Sequence, residues 1–303
     1  MNRLDLLAAI YAKLHNYKGV PYWVLTPLRK AVRSIANIIL PTYLSKAPKT
    51  MGQQMSDVIV SLTSFPARID NVWQVIECIL RQTCRPKKIL LWLSKHQFPT
   101  ADSIPESLRN RVGDVFEIRM VDGDIRSHKK YYYVAKEYPD SLVFIIDDDI
   151  YYPSTLLART LECHMKHPDS VICNYGYRMK YNSAGRVQSY RSWAECLVDS
   201  EEEDLFFGSG GGTLIVPSRM DKHLTDMDLA VKLTPIADDI WLNAMTRLAG
   251  LKIIMLSHGL ILPVKQKENI SLTSQNIGKS KNDVQIQNIE DFFGPVFSHN
   301  NRC

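Results

Sequence analysis

Apolar stretches with strand character alternate with helical stretches between residues 57 and 167 of this 303-residue chain. The pattern predicts strands at 58–62, 87–94, 116–121 and 142–147, and helices at 71–82, 106–112, 127–138 and 154–167. Ser127 and Ser154 are expected to cap two of these helices. This alternation predicts an α/β domain with a mainly parallel central sheet flanked by helices, whose ligands bind at the carboxyl ends of strands.

Three adjacent aspartates, Asp147, Asp148 and Asp149, directly follow the apolar run VFII. Their mutual repulsion makes them costly to bury unless a cation lies between them. Alternation along the strand directs Asp147 and Asp149 to one side and Asp148 to the other. Hard carboxylate oxygens suit Mg²⁺ or Mn²⁺, so we predict a divalent-metal site, with a solvated acidic turn as the alternative. His258, after the strand KIIMLS, either completes that metal shell or is structural.

Two other uses of these aspartates require different neighbours. An EF-hand calcium loop needs Gly at its sixth position and Glu at its twelfth, where this chain has Tyr152 and Ala158, so it is excluded. A phosphatase of the haloacid-dehalogenase type also begins with an apolar strand and D-x-D. It would carry a small Thr or Val where this chain has Tyr151, and it stays an alternative.

The stretch GDIRSHKKYYY (Gly123 to Tyr133) follows one predicted strand and opens a helix. Its cations surround a helix N-terminus, which already favours anions, so a diphosphate could bind there; they are Arg126, His128, Lys129 and Lys130. The alternative is a solvated basic turn.

The stretch FFGSGGGTLIVP (Phe206 to Pro217) is rich in glycine and leads into a predicted strand. It matches neither a Rossmann fingerprint nor a Walker loop. Gly210 and Gly211 could permit close backbone approach to a ligand, or the stretch could be a flexible hinge.

Asp238 and Asp239 stand at the start of a helix predicted in ADDIWLNAM. Such acids are often helix caps. Facing a sugar-binding cleft, one of them could instead be the general base that deprotonates an acceptor hydroxyl.

Composition narrows the class of protein and its location. A net charge of +5 is too weak to indicate nucleic-acid binding, and no apolar run approaches the length of a membrane span. The six cysteines form no C-x-x-C pair, which argues against zinc, and no signal-peptide pattern is present. We therefore expect reduced thiols and a cytoplasmic protein.

Residues 1–55 differ from the domain predicted at 56–303. The segment Trp23 to Leu44 predicts a basic amphipathic helix, with apolar residues Leu25, Leu28, Val32, Ile35 and Ile39 at helical spacing and basic residues largely on another face. Either this helix lies peripherally on an anionic membrane, at the inner face of the cytoplasmic membrane, or it packs on the side of the domain.

Taken together, the motifs resemble GT-A fold glycosyltransferases encoded in bacterial capsule and lipopolysaccharide (O-antigen) loci. The resemblance covers residues 57–292 and is carried by VSLTSFPARI, ILLWLS, DIRSHKK, IIDDDIYYP, GGGTLIVP, ADDIWLNAM, ENISLTSQN and NDVQ. It implies a GT-A fold with an N-terminal helical extension. It also implies transfer of a sugar from a nucleotide-diphosphate donor, most simply a UDP-sugar, to a glycan or lipid-linked glycan in surface-polysaccharide synthesis.

The resemblance also implies roles for individual residues. Asp147 and Asp149 would hold Mn²⁺ or Mg²⁺, and Thr63 and Arg68 would line the nucleotide. Arg126, Lys129, Lys130 and Asp148 would belong to the phosphate and nucleotide site, and Gly210 and Gly211 to the sugar pocket. Asp238 or Asp239 would be the base of an inverting displacement.

Three other functions compete with this one. A phosphatase would hydrolyse phosphomonoesters without a nucleotide. A catalytically silent partner would bind a nucleotide sugar and transfer nothing. A nucleotidyltransferase normally starts with a glycine-rich basic loop, which VSLTSFPAR is not.

Overall fold

The structure, a computed structural model, describes residues 2–15, 20–46, 54–256, 261–266 and 281–298. Among the described residues, no helix has both the length and the apolarity needed to cross a membrane. The helices are α1 (Arg3–His15), α2 (Tyr22–Lys46), α3 (Val72–Leu80), α4 (Glu106–Arg109), α5 (Lys129–Glu137), α6 (Leu156–Lys166), α7 (Met227–Leu233), α8 (Asp238–Leu248) and α9 (Lys281–Phe293).

Short strands and 3₁₀ turns connect these helices. The strands are β1 (Gln54–Met55), β2 (Ile59–Thr63), β3 (Cys84–Arg85), β4 (Lys88–Ser94), β5 (Phe116–Val121), β6 (Val143–Ile146), β7 (Ile150–Tyr151), β8 (Ser170–Cys173), β9 (Gly176–Arg178), β10 (Ala194–Glu195), β11 (Leu205–Phe207), β12 (Gly211–Ile215), β13 (Lys252–Met255) and β14 (Leu262–Pro263). The 3₁₀ turns are Ile69–Asn71, Ala101–Ser103, Arg126–His128, Tyr190–Ser192, Pro217–Arg219 and Lys222–Thr225.

The described strands build a seven-stranded central sheet in the order β13-β8-β12-β6-β2-β4-β5. Neighbouring strands are parallel except for β12, which runs antiparallel to both β6 and β8. The predicted α/β fold with a mainly parallel sheet is therefore confirmed, with one inserted antiparallel strand. A small antiparallel sheet, β10-β9-β11, lies beside it.

The sheet separates two apolar cores, because side chains alternate along each strand. On β6, Phe144 and Ile146 lie in the core that also contains residues of α2 and α3. Val143 and Ile145 lie in the opposite core, with residues of α5 and α8. Helices therefore cover both faces, as the alternation predicts.

The strand order creates a switch point between β2 and β6. After β2 the chain builds β4 and β5 on one side, and it then returns to place β6 on the other side. Crevices outside the carboxyl ends of strands at such points bind ligands in open α/β sheets. The aspartates after β6 and the segment after β2 both emerge there.

The two predicted serine caps are wrong. Helix α6 follows Thr155 with no side-chain cap, and the Ser154 hydroxyl instead donates to the Asp5 carboxylate of α1 over 2.6 Å. Helix α5 follows the 3₁₀ turn Arg126–His128, and no side chain caps it. At α6 the hydrogen bond of Ser154 to Asp5 replaces the local capping bond. At α5 the preceding 3₁₀ turn leads directly into the helix.

Helices α1 and α2 pack into the same core as β2 and β6. On α2 the inward residues include Ala36, Leu40 and Leu44, all fully buried. The predicted boundary between residues 55 and 56 stays a prediction.

The apolar stripe predicted on α2 is divided between two faces. Leu25 points inward, whereas Leu28 and Ile35 are 50% and 47% exposed, and Ile38 beside them is 75% exposed. Helix α2 therefore keeps an apolar face that no described residue covers.

Candidate active site

A cavity of about 790 Å³ opens at the switch point. It is lined by the ends of β2 and β6, the turn before α5, the start of β12 and the start of α8. The sequence-predicted residues that line it are Thr63, Arg68, Arg126, Lys129, Lys130, Asp147, Asp148, Asp149, Gly210, Gly211, Asp238 and Asp239. His258 and the stretch ENISLTSQN lie outside the described residues.

The three strand-end aspartates have different surroundings. The Asp148 side chain is 6% exposed, and it accepts hydrogen bonds from Ser64 Oγ (2.5 Å) and Arg68 Nη1 (2.8 Å). The side chains of Asp147 and Asp149 are 41% and 27% exposed. Asp149 shares Arg68 Nη1 with Asp148, at 2.9 Å. The middle aspartate is thus the anchored one, and its two neighbours are the more accessible pair.

The charge of this cluster is incompletely neutralised. Burial, together with the adjacent charge of Asp148, raises the pKa of Asp149 to about 7, although Arg68 opposes the shift. Burial also raises the pKa of Asp148. A carboxylate cluster with raised pKa values is stabilised by additional positive charge.

Asp147 and Asp149 fit a divalent cation by their chemistry. They offer hard oxygen donors into one cavity, and Mg²⁺ is usually held by one or two carboxylates plus substrate phosphates. Gly210 leaves the space that one of them needs, since a Cβ at Gly210 would lie 1.8 Å from Asp147 Oδ2. The described residues contain no group of three or more His, Cys, Asp and Glu side chains able to hold a metal, so phosphate or water oxygens would supply the other ligands.

Lys130 connects the two acidic parts of the cavity. Its ammonium group lies 2.7 Å from Asp147 and 2.9 Å from Asp238, and its side chain is 4% exposed. Burial alone would lower the pKa of Lys130, but the surrounding aspartates outweigh that effect and raise it. Lys130 is therefore a permanently charged bridge, and it could bind phosphate only by giving up a carboxylate.

Asp238 and Asp239 begin α8, but neither caps it, because the residue at the cap position is Ala237. The Ser209 hydroxyl donates to one or the other, at 2.9 Å from Asp238 and 2.5 Å from Asp239, and the Ser209 N–H donates to Asp239 over 2.8 Å. Both carboxylates are thus held by contacts outside their own helix.

The two acids differ in protonation. Burial would raise the pKa of Asp238, but Lys130 and His128 outweigh it, so the net pKa lies below the usual value. Burial and the charge of Asp238 raise the pKa of Asp239 to about 7. A general base works best with a pKa near the operating pH, which favours Asp239 over Asp238.

The turn before α5 supplies cations from the other side. Arg126 has a left-handed backbone, with φ 54°, a sparsely populated conformation for a residue other than glycine. Its exposed side chain lines the cavity and forms no ion pair with any residue in the described ranges. Lys129 is paired with Asp124, and His128 is buried against Tyr131 and the Thr234 carbonyl, so His128 is a core residue.

The glycine run is part of the sheet and not a hinge. Gly211–Ile215 forms β12, and Gly211 is in register with Ile146 of β6. The Tyr152 hydroxyl donates to the Gly210 carbonyl and accepts from the Asp147 N–H at 2.8 Å. The first aspartate is therefore fixed against the glycine run.

Thr63 ends β2, and its hydroxyl donates to the Trp92 carbonyl over 2.8 Å. Thr63 and Phe65 both line the cavity after β2. The Thr63 hydroxyl is already hydrogen-bonded within the sheet. Thr63 would therefore contribute to a nucleotide site only through the shape of the cavity wall.

Sequence reasoning missed several residues of the cavity. Ser64 and Ser209 hold the aspartates by hydrogen bonds. They lie in the motifs VSLTSFPARI and FFGSGGGTLIVP beside predicted site residues, and their hydroxyl groups were the signal that could have identified them. Tyr175, Tyr177 and Tyr190 also line the cavity, next to the segment that begins α8. For Tyr175 and Tyr177 the signal was the spacing Y-G-Y, because residues two positions apart on a strand place their side chains on the same face.

No family model matches the chain, and no curated protein matches its sequence. In structure it is similar to the mannosyltransferase PcManGT from Pyrobaculum calidifontis, solved with GDP-Man and Mn²⁺, at 12% identity and TM-score 0.47, covering 93% of this chain and 74% of that one. It is also similar to HddC from Yersinia pseudotuberculosis, at 14% identity and TM-score 0.34, covering 57% of this chain and 79% of that one. Similarity at this level leaves the function to be decided by the chemistry of the cavity.

Proposed function

We propose that this protein is a GT-A type glycosyltransferase that moves a sugar from a nucleotide-diphosphate donor to a hydroxyl of a glycan or lipid-linked glycan. The observation that carries the proposal is that one cavity is lined by the strand-end aspartates, by four cations and by Asp239. A donor diphosphate needs positive charge, and an acceptor hydroxyl needs a base. The cavity volume of about 790 Å³ is within the range of ligand pockets and larger than a lone phosphate requires.

The donor diphosphate is proposed to lie between Arg126 and the aspartate pair. Arg126 is the exposed cation of the cavity, whereas Lys129 and Lys130 are held by carboxylates. When bound by Asp147 and Asp149, Mg²⁺ or Mn²⁺ would offset the charge on the departing nucleoside diphosphate. Arg68 and Lys130 hold these carboxylates in place. A UDP-sugar is the donor that the sequence resemblance implies.

Asp239 is proposed to accept the proton of the attacking hydroxyl. Its pKa of about 7 lets it be a carboxylate at neutral pH and still take up a proton. Asp238, held ionised by Lys130, keeps the helix start in place and raises the basicity of its neighbour. Direct attack by the activated hydroxyl would invert the anomeric centre.

Two features disfavour the competing functions. A silent binding partner has no use for a base of matched pKa beside the donor site. A nucleotidyltransferase would carry a glycine-rich loop after the first sheet strand, where this chain has Ser64-Phe65-Pro66. The phosphatase stays as the alternative that experiment separates.

A peripheral contact with the inner face of the cytoplasmic membrane is proposed for α2. Leu28, Ile35 and Ile38 form the exposed apolar face, and the exposed cations Lys30 and Arg33 lie on the same helix. Exposed apolar side chains and exposed cations on one helix suit an anionic lipid surface. Such a contact would suit a lipid-linked acceptor and a role in surface-polysaccharide synthesis.

The test is a thermal-shift panel of UDP, GDP, CMP and their sugars, with and without Mn²⁺. Wild type is compared with Asp149→Ala and with Asp102→Ala, whose side chain is 91% exposed and outside the cavity. We expect stabilisation by one nucleoside diphosphate, dependent on Mn²⁺, absent in Asp149→Ala and retained in Asp102→Ala. An undiminished response in Asp149→Ala would refute the metal assignment. No nucleotide response, together with hydrolysis of p-nitrophenyl phosphate, would establish the phosphatase instead.

A further inference from the structure

Three tyrosines form a continuous wall on the Asp239 side of the cavity. The ring centroids of Tyr175 and Tyr177 are 5.4 Å apart, as are those of Tyr177 and Tyr190. All three side chains are half-buried and line the cavity. Behind them, Tyr190 packs on Trp193 at 4.7 Å and on Phe206 at 5.8 Å, which fixes its ring.

The hydroxyls of this tyrosine wall form one hydrogen-bonded row. Those of Tyr175 and Tyr177 are 2.7 Å apart, and Tyr177 also shares a hydrogen bond with Tyr190. Tyr175 donates to Glu195 Oε1 at 3.4 Å. Burial raises the pKa of all three phenols, so each carries its single proton at neutral pH.

The direction of the row is set at its far end. Tyr175 donates to Glu195 and has a single proton, so Tyr177 donates to Tyr175, and Tyr190 donates to Tyr177. Tyr190 lines the cavity, and its hydroxyl then keeps an acceptor lone pair with no further side-chain partner among the described residues. The row therefore ends in an acceptor site suited to an incoming hydroxyl.

The support for Glu195 comes from the N-terminal helices. His15 Nε2 lies 2.6 Å from Glu195 Oε2, and Arg29 Nη1 lies 2.5 Å from His15 Nδ1. Because arginine only donates, Nδ1 accepts and Nε2 carries the proton toward Glu195. Helices α1 and α2 thus hold the carboxylate that orients the tyrosine row.

The tyrosine wall supplies no positive charge of its own for the donor diphosphate. The cations that line the cavity, Arg68, Arg126, Lys129 and Lys130, all come from the part of the chain before β6. Among the described lining residues the tyrosine side offers no Lys or Arg, and a carboxylate stands behind it. Asp239 is close enough to raise the pKa of both Tyr177 and Tyr190. The wall therefore faces the proposed base and not the phosphates.

We infer that Tyr175, Tyr177 and Tyr190 form the acceptor subsite and that it binds a sugar ring of the acceptor, with Tyr190 accepting a hydrogen bond from a sugar hydroxyl. A sugar ring has apolar C–H faces and a rim of hydroxyls, and tyrosine offers an apolar ring face with a polar tip. An acceptor without a sugar ring at this position would leave the hydroxyl row unused. The inference rests on the proposed function, because it assigns the second substrate of the same reaction.

The experiment measures release of nucleoside diphosphate from the nucleotide sugar that stabilises wild type. Rates are taken in water alone, with methyl glycosides of glucose, galactose, mannose and N-acetylglucosamine, and with cyclohexanol. We expect at least one glycoside, and not cyclohexanol, to stimulate wild type. Tyr190→Phe should raise the KM for that glycoside about tenfold, the usual effect of one lost hydrogen bond, and Tyr190→Ala should raise it further.

Tyr138→Phe, outside the cavity, is the matched control and should behave as wild type. Equal glycoside KM values in wild type, Tyr190→Phe and Tyr190→Ala would overturn the inference, as would stimulation by cyclohexanol equal to that by glycosides, or none by any glycoside. Failure of the proposed function has a different signature: wild type would then neither bind nor hydrolyse any nucleotide sugar.

Discussion

Adding a single methyl group at Gly210 is expected to weaken metal binding by Asp147 and Asp149. An ideal Cβ built on Gly210 lies 1.8 Å from Asp147 Oδ2 and 2.0 Å from Asp147 Cγ, whereas real Cβ contacts essentially never fall below 3.0 Å. In Gly210→Ala the Asp147 carboxylate must therefore retreat by about 1 Å, a displacement that costs catalytic sites about 100-fold in rate. Its 2.7 Å bond to Lys130 would be stretched by the same movement.

The assay separates these effects. Mn²⁺ binding is titrated by calorimetry without nucleotide, and the rate of nucleoside diphosphate release is measured with the donor that stabilises wild type. We expect Gly210→Ala to bind Mn²⁺ more weakly and to lose about 100-fold in kcat/KM while it still unfolds cooperatively. Gly113→Ala is the control, because its Cβ would meet nothing within 4 Å. Unchanged Mn²⁺ affinity and rate in Gly210→Ala would refute the placement of Asp147 in the metal site.

Two further predictions concern the base and the membrane face. At saturating Mn²⁺, the wild-type rate should rise with pH up to about 7 and then level off, because only the ionised Asp239 accepts a proton and burial raises its pKa to about 7. Asp239→Asn should lose about 10²–10⁴-fold in turnover and this pH dependence, while the thermal shift by donor persists; loss of that shift would contradict the base assignment. In flotation with phosphatidylglycerol vesicles, wild type should float and Ile38→Glu should not, whereas Val284→Glu, at a site 59% exposed on α9, should float like wild type. If wild type stays unbound, the membrane contact on α2 is wrong.

The sequence predicted the sheet and most of the cavity for a physical reason. Apolar strands that are buried on both faces carry a strong signal, and the residues at their carboxyl ends must meet at one edge. Asp147, Asp149 and Arg68 could therefore be grouped from their positions along the chain alone. The predicted alternation does not extend to the aspartates, because the strand ends at Ile146 and Asp148 and Asp149 share the Arg68 Nη1 atom.

The parts that could not be predicted depend on tertiary pairing. Because β12 runs antiparallel, its beginning and not its end reaches the ligand edge, so Gly210 enters the cavity ahead of its strand. The helical spacing on α2 could not show that Leu25 is covered while Leu28 is not, since both are apolar. Tyr190 reaches the wall from the 3₁₀ turn Tyr190–Ser192, which is too short for a sequence periodicity to reveal which way a side chain points.

The burial of α1 and α2 has a consequence for the independence of the first 46 residues. Leu4, Leu40 and Leu44 are fully buried among residues of the main core, and the Arg81 guanidinium donates to the Leu44 carbonyl over 2.9 Å. Asp5 reaches Ser154, and His15 reaches Glu195. A chain that began at residue 56 would expose a large apolar surface and leave these polar groups without their partners. A substitution at the buried positions of these two helices would therefore require compensating changes in the residues of the main core that they contact.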